Sequence, residues 1–129
     1  MFVDASAVIG IIAQEEGWEV LAGRLTQAER AYVSPLTMWE AVAGLARQAA
    51  CPPEEAEGLV RQFVETIDAE TVSVNDAIGR EAIAAFGRYG KGRHKAALNF
   101  GDCFSYACAK VLETPLLYKG EDFLYTDLA

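Results

Sequence analysis

The chain has 129 residues, 52% of them hydrophobic and 23% charged, the size and make-up of one folded domain with a proper core and not of a disordered chain. Eleven Lys and Arg against nineteen Asp and Glu give a formal charge of −8, so the surface as a whole repels polyanions. The longest run of small and apolar residues, Ala5 to Ala13, falls far short of the ~20 that span a bilayer, and Asp4 stands where a secretory leader would begin its apolar stretch, so no membrane association and a cytoplasmic location are expected.

Phe2-Val3-Asp4-Ala5 opens the chain as a short apolar segment carrying one carboxylate, and a helical pattern runs from about Ala7 to Gln14. A second amphipathic helix is expected from Trp18 to Gln27, followed by a buried strand at Ala31-Tyr32-Val33. Ser34-Pro35 then starts a helix that lasts to about Gln48, Ser capping the free amides and Pro tolerating the first helical position. Cys51-Pro52-Pro53 is the clearest break, and Glu54, Glu55 and Glu57 suit the positive end of the next helix dipole. Thr71-Val72-Ser73-Val74 alternates like a strand, and Asn75 or Asp76 caps a helix through Arg88. A polar loop from Tyr89 to Ala96, a helix from about Asn99 to Leu112 and a last strand at Leu116-Leu117-Tyr118 complete the chain. Strands alternating with helices predict an α/β fold with a mainly parallel sheet and helices on both faces, because parallel strands need crossover connections. Without repeats, low-complexity tracts or linkers, residues 1–129 read as a single domain. Cys51, Cys103 and Cys108 are an odd count with no C-x-x-C pair, which predicts buried, inert thiols.

In an open parallel sheet, ligands bind beyond the carboxyl ends of the strands, and four acids fall at such positions. Asp4 lies among Phe2, Val3 and Ala5, where an uncompensated ionised side chain is costly to bury; capping the first helix is the plainer alternative. Glu40 sits inside a helix with Leu36, Thr37, Ala43 and Gly44 three and four positions away, so no base on its own helix pairs with it. Asp102 follows Leu98-Asn99-Phe100-Gly101 at the start of an apolar helix, where the dipole alone favours a carboxylate by roughly 0.3–1 kcal/mol. Asp122 lies in Lys119-Gly120-Glu121-Asp122-Phe123, a turn-like stretch after the last strand. Gathered at one sheet edge, two carboxylates about 5 Å apart repel by roughly 3 kcal/mol at an effective dielectric of about 20, and four must protonate or take up a cation. An all-oxygen set without His or Cys suits Mg²⁺ or Mn²⁺, and such a site carries out phosphoryl chemistry by activating water and stabilising the leaving oxygen.

These residues, in this order, resemble a PIN-domain ribonuclease of the VapC toxin type. The likeness covers the whole chain and rests on Phe2-Val3-Asp4-Ala5-Ser6-Ala7, on Trp39-Glu40, on Leu98-Asn99-Phe100-Gly101-Asp102-Cys103, and on Leu117-Tyr118-Lys119-Gly120-Glu121-Asp122-Phe123 leading to Thr126-Asp127. The third motif is the most specific. The resemblance implies a three-layer α/β/α sandwich and metal-dependent cleavage of RNA, with Asp4, Glu40, Asp102 and Asp122 as an acidic quartet for Mg²⁺ or Mn²⁺. Asp4 and Asp102 match direct ligands; Glu40 and Asp122 match acids that hold coordinated waters or a second ion. Glu121 adjoins Asp122, and the Asp-Phe pairing favours Asp122. Ser6 and Thr126 match supporting hydroxyls, and Asn99 matches a polar position near substrate. A homodimer is implied as well, together with a small VapB-like cognate antitoxin whose basic or aromatic tail occupies the acidic groove.

The overall charge has a local exception in Arg88-Tyr89-Gly90-Lys91-Gly92-Arg93-His94-Lys95, with four Lys or Arg and no acid in eight residues. A basic loop with a Tyr and flexible glycines suits phosphate contact and base stacking, against the plain reading of a solvated loop. Arg93 and the sole histidine, His94, are candidate RNA contacts, and Lys119 is either a phosphate contact or an ordinary loop lysine. Trp18 and Trp39 read as packing side chains, a dimer or antitoxin contact being the second reading for Trp39. Two other functions compete. Aspartyl-phosphate chemistry would use Asp4, although Asp4-Ala5-Ser6 lacks the Asp-x-Asp of such phosphatases; a non-catalytic protein-binding module would leave the quartet without a role.

Overall fold

Every expected strand forms, but each is only two residues long: β1 (Phe2–Val3), β2 (Tyr32–Val33), β3 (Glu70–Thr71) and β4 (Leu116–Leu117). In a computed structural model describing residues 1–129, they make one sheet in the order β3-β2-β1-β4, with every pair parallel. Phe2 stands opposite Tyr32 on one side and Leu116 on the other, and Val33 stands opposite Thr71. The crossovers that parallel pairing demands are α1 (Ala5–Ile12), α2 (Trp18–Gln27), α3 (Pro35–Ala49), α4 (Pro53–Thr66), α5 (Asp76–Tyr89) and α6 (Phe100–Val111).

The period-two alternation of the strands divides the interior into two cores. Phe2 and Leu116 point into one, built on Ile78, Ala82 and Ala85 of α5 and Cys103, Tyr106 and Ala107 of α6. Val3, Val33 and Leu117 point into the other, with Val8 of α1, Leu21 and Leu25 of α2, Ala41 and Leu45 of α3, and Val60 of α4. The result is a three-layer α/β/α sandwich. Full burial of each of the Val, Leu, Ile and Phe side chains among these is worth roughly 1.5–3 kcal/mol, and a one-residue slip would exchange the faces of every strand, so the register is firmly set despite the short ladders.

Two boundaries differ from the sequence expectation, each for a local reason. The first helix begins at Ala5, two residues early, because Asp4 is its N-cap and accepts the Ser6 amide at 3.0 Å. The third strand is earlier and shorter than Thr71–Val74: Val72 still donates to the Val33 carbonyl at 2.8 Å, but Ser34 then leaves the sheet to cap α3, so later residues have no strand to pair with. Asn75, not Asp76, caps α5, its side chain accepting the Ile78 amide at 3.0 Å. All three cysteines are free, and burial raises the thiol pKa of Cys108 to about 11, which makes it a packing group. No helix is long and apolar enough to cross a membrane.

This strand order fixes where chemistry belongs. The chain winds from β1 outward to β2 and β3, and later returns to add β4 on the opposite flank of β1. The winding therefore reverses between β1 and β4, and the crevice beyond their carboxyl ends is the expected binding position.

Candidate active site

Asp4 leaves β1 directly into that crevice. It is 5% exposed and holds three donors: the Ser6 amide at 3.0 Å and Ser6 hydroxyl at 2.6 Å on Oδ2, and the Ser105 hydroxyl at 2.5 Å on Oδ1. Ser6 is itself fixed, since its oxygen accepts the Lys119 amide from the segment after β4 at 3.0 Å. Asp4 thus caps a helix and is also clamped between α1, α6 and the end of β4. Roughly one of its four acceptor positions is left for anything else.

Asp102 enters from the start of α6, where it and Asn99 form a capping box: Asn99 Oδ1 accepts the Asp102 amide at 2.9 Å, and Asp102 Oδ2 accepts the Asn99 amide at 3.1 Å. One carboxylate oxygen is thereby committed and the other is left for the crevice. Burial raises the pKa of Asp102 to about 6 against the pull of the Asn99 bond, with the charges of Asp4 and Asp122 adding to the rise. Asp122 lies in an exposed turn, near enough for its charge to be felt at Asp102.

Glu40 has no such structural duty. It projects from α3, half-buried, and takes no hydrogen bond or ion pair from the chain; its pKa rises to about 7 through burial first and then the charges of Asp4 and Asp102. Its carboxylate lies against Gly101, where any Cβ would overlap it. Glycine before Asp102 is what lets α3 bring this acid up to the α6 terminus. Capping alone accounts for Asp4 and Asp102, whereas Glu40 has only its acidic neighbours, which is what makes the cluster a candidate site.

The donor set is all oxygen, the chemistry that suits a hard divalent cation. The candidate ligand atoms are carboxylate oxygens, and no fully buried side-chain oxygen lacks a hydrogen-bond partner. No group of three acidic, His or Cys side chains is drawn together closely enough to hold an ion; Mg²⁺ keeps several waters and takes one or two carboxylates.

The remaining predicted residues are dispersed around this crevice. Asn99 spends its side-chain carbonyl on the cap. The Thr126 hydroxyl serves its own turn, donating to the Phe123 carbonyl at 2.8 Å and accepting the Leu128 amide at 3.2 Å. The Lys119 ammonium pairs with Glu15 at 3.2 Å on the crevice rim. The basic loop is closed at its base by bonds between Lys91 and Leu98 and between Leu98 and Tyr89, both 3.0 Å, and so leads straight into the Asn99 cap. Its cations lie on rings: Arg93 5.1 Å from Phe86, Lys95 4.4 Å from Tyr125 and Arg88 5.6 Å from Tyr89. The His94 ring meets Tyr89 edge-on at 5.2 Å, and its Nδ1 accepts the Ala96 amide at 3.0 Å. None of the four loop cations is bridged to an acid. Trp39 is 71% exposed, which overturns the packing reading for it.

Sequence reasoning passed over Ser105. It was absorbed into an apolar helix, yet a serine inside such a run must find a partner when buried, and its position three residues after Asp102 puts it on the same helical face. Gly101 was quoted as part of a motif but its physical role was equally unread.

Comparisons with known proteins agree with this fold. The family model described as PIN domain matches residues 1–128. The chain is similar to a VapC ribonuclease of Rhizobium meliloti, 42% identical with 98% of each chain covered, and to a ribonuclease VapC of Mycolicibacterium smegmatis, 36% identical over 100% of this chain and 98% of the relative. Among solved structures it resembles VapC20 of Mycobacterium tuberculosis, described as a sarcin-ricin loop cleaving toxin, with a TM-score of 0.76 at 16% identity over 99% of this chain and 95% of that one. A toxin–antitoxin complex from Klebsiella pneumoniae matches with a TM-score of 0.71 at 16% identity, covering 98% and 92%.

Proposed function

This chain belongs to the PIN domain family, and from that premise we propose that it is a VapC-type toxin, a metal-dependent endoribonuclease restrained by a cognate antitoxin. The observation that carries the proposal is the unpaired Glu40 carboxylate held against Gly101 beside Asp4 and Asp102. Asp4 and Asp102 are the direct ligands for Mg²⁺ or Mn²⁺, with Glu40 and Asp122 completing the acidic ring. When bound, the ion neutralises the attacked phosphate and lowers the pKa of water. The chain's own contribution is rigidity: Ser6 and Ser105 fix the orientation of Asp4, and the capping box fixes Asp102, so the acids are aimed before substrate arrives.

RNA is held by the loop from Arg88 to Lys95, with Arg93, His94 and Tyr89 offering charge and ring surface beside the crevice; Asn99 and Thr126 stand as supports on either side, and Lys119 becomes a phosphate contact when it exchanges Glu15 for RNA. The acidic crevice equally suits the basic tail of an antitoxin, as charge complementarity requires. A homodimer is the assembly we assign, in a single-domain cytoplasmic protein. It is supported by the apolar groove between α5 and the start of α6, where Ile83 and Phe100 are 73% and 69% exposed.

The test is direct. Purified protein with Mg²⁺ or Mn²⁺ cleaves structured RNA, and Asp4→Asn or Asp102→Asn lowers the rate by at least about a thousandfold with the fold intact by circular dichroism. Full activity in both variants would sink the assignment.

A further inference from the structure

Residues 120–129 contain no helix or strand, yet they carry Asp122. Phe123 anchors them in the α5–α6 core, 1% exposed with its ring 5.1 Å from Tyr118. A second anchor lies four residues further on. Asp127 Oδ1 accepts the Tyr106 hydroxyl at 2.7 Å and Oδ2 accepts the Lys110 ammonium at 2.7 Å. Tyr106 is fully buried, and its oxygen also accepts a bond from Arg88 Nη1 at 3.2 Å.

The spacing on α6 gives this grip a direction. Asp102, Tyr106 and Lys110 are four residues apart, so they form one stripe along the helix. The terminal segment is therefore pinned to the α5–α6 core at Phe123 and to the Tyr106 and Lys110 end of that stripe at Asp127. A stretch of successive turns has little rigidity of its own, so its position depends on its anchors.

We propose that Asp127 is a positioning residue: gripped by Tyr106 and Lys110, it sets where the terminal turn holds Asp122. The inference rests on the nuclease reading for what the acidic site is for, but the latch is testable without RNA. Because Arg88, in the last turn of α5 just ahead of the basic loop, bonds to the same Tyr106 oxygen, the latch also ties the start of that loop to the acidic turn.

The experiment is a double-mutant cycle on Mn²⁺ affinity, measured by titration calorimetry on the wild-type chain, Asp122→Asn, Asp127→Asn and the double variant. Each single variant binds Mn²⁺ about tenfold more weakly, and the double variant binds no more weakly than Asp122→Asn alone, because Asp127 acts through Asp122. Independent, additive losses, or unchanged affinity in Asp127→Asn, overturn the proposal. Amide exchange provides an arm that needs neither metal nor RNA. In Asp127→Asn, the Leu124 and Thr126 amides, which donate to Glu121 and Phe123 carbonyls, exchange about tenfold faster while those of α1 and α3 keep their rates; equal exchange throughout overturns it. Tyr106→Phe, which leaves the Lys110 bond, moves both readouts in the same direction by less. If the cycle behaves as expected but wild-type protein cuts no RNA, the nuclease reading fails and the latch stands.

Discussion

The acidic crevice and the basic loop meet in sequence across the short stretch from Lys95 to Asp102, yet they are built by opposite rules. In the crevice, the fixed acids are buried and held by directed hydrogen bonds: Asp4 takes the Ser6 amide and the Ser6 and Ser105 hydroxyls, and Asp102 sits in a capping box. In the loop, charge is exposed and rests on aromatic faces, with no acid to direct it. The lesson is a division of labour. Groups that act on a bond must be placed to within a fraction of an ångström, whereas groups that gather a polyanion work by summed, screened attraction and tolerate movement.

The sharpest way to break this contrast is to displace one acid without removing it. In Gly101→Ala, the new methyl overlaps the Glu40 carboxylate, which sits at the end of a flexible side chain and can swing away. Stability should change little, while RNA cleavage falls about a hundredfold, the scale of an ångström's misplacement. Unchanged cleavage would show that Glu40 need not lie there. Ser105→Ala follows, with about a tenfold loss of cleavage and a stability loss of roughly 1–3 kcal/mol, since it leaves a buried Asp4 oxygen short of a donor. Urea unfolding combined with the cleavage rate checks both parts, and a stability loss alone would make Ser105 merely structural.

On the other side of the comparison, Arg93→Ala or Lys91→Ala should raise the KM for RNA a few-fold at moderate salt and leave kcat nearly untouched. Each substitution should also reduce the slope of log affinity against log salt by about 0.7, the value for one phosphate contact to a single strand. A kcat loss without a change in salt slope would place the loop in the chemistry instead.

The two regions were also unequally legible in the sequence. The loop could be read from composition alone, as four cations without an acid. In the crevice, the order of strands and helices gave the sheet edge, and Glu40 was identifiable because no base stood three or four residues away. Its actual neighbour was not readable, because the contact between Glu40 and Gly101 joins α3 to α6 and no local pattern encodes it. Ser105 was missed for the same reason: its partner lies 101 residues away. The third strand was misplaced because its end is decided by where β2 leaves the sheet, which is a property of a neighbour.

The smallest predicted effect tests the crevice through its protons. Glu40, with a pKa of about 7, and Asp102, with a pKa of about 6, both lie above their ordinary values, burial being the first cause in each. The folded chain therefore holds protons that the unfolded chain has lost, so stability falls as pH rises from about 4 to about 7 and is level above that. Other groups titrate in the same range, but the difference between Glu40→Gln and the wild-type chain isolates one of them. That difference should be near zero at pH 4 and grow to about 1 kcal/mol in favour of the Gln variant at pH 8, the raised pKa being discounted because half-exposed Glu40 is screened by solvent. In thermal unfolding this is a gain of a few degrees, roughly 2–6 °C for a chain of this length. Mn²⁺ should stabilise the wild-type chain more at pH 8 than at pH 5, because protons compete for the same oxygens. A Gln variant whose melting temperature follows the wild type at every pH would mean that Glu40 is solvated and unstrained, and the distinction between a buried acidic site and a surface basic loop would lose its electrostatic basis.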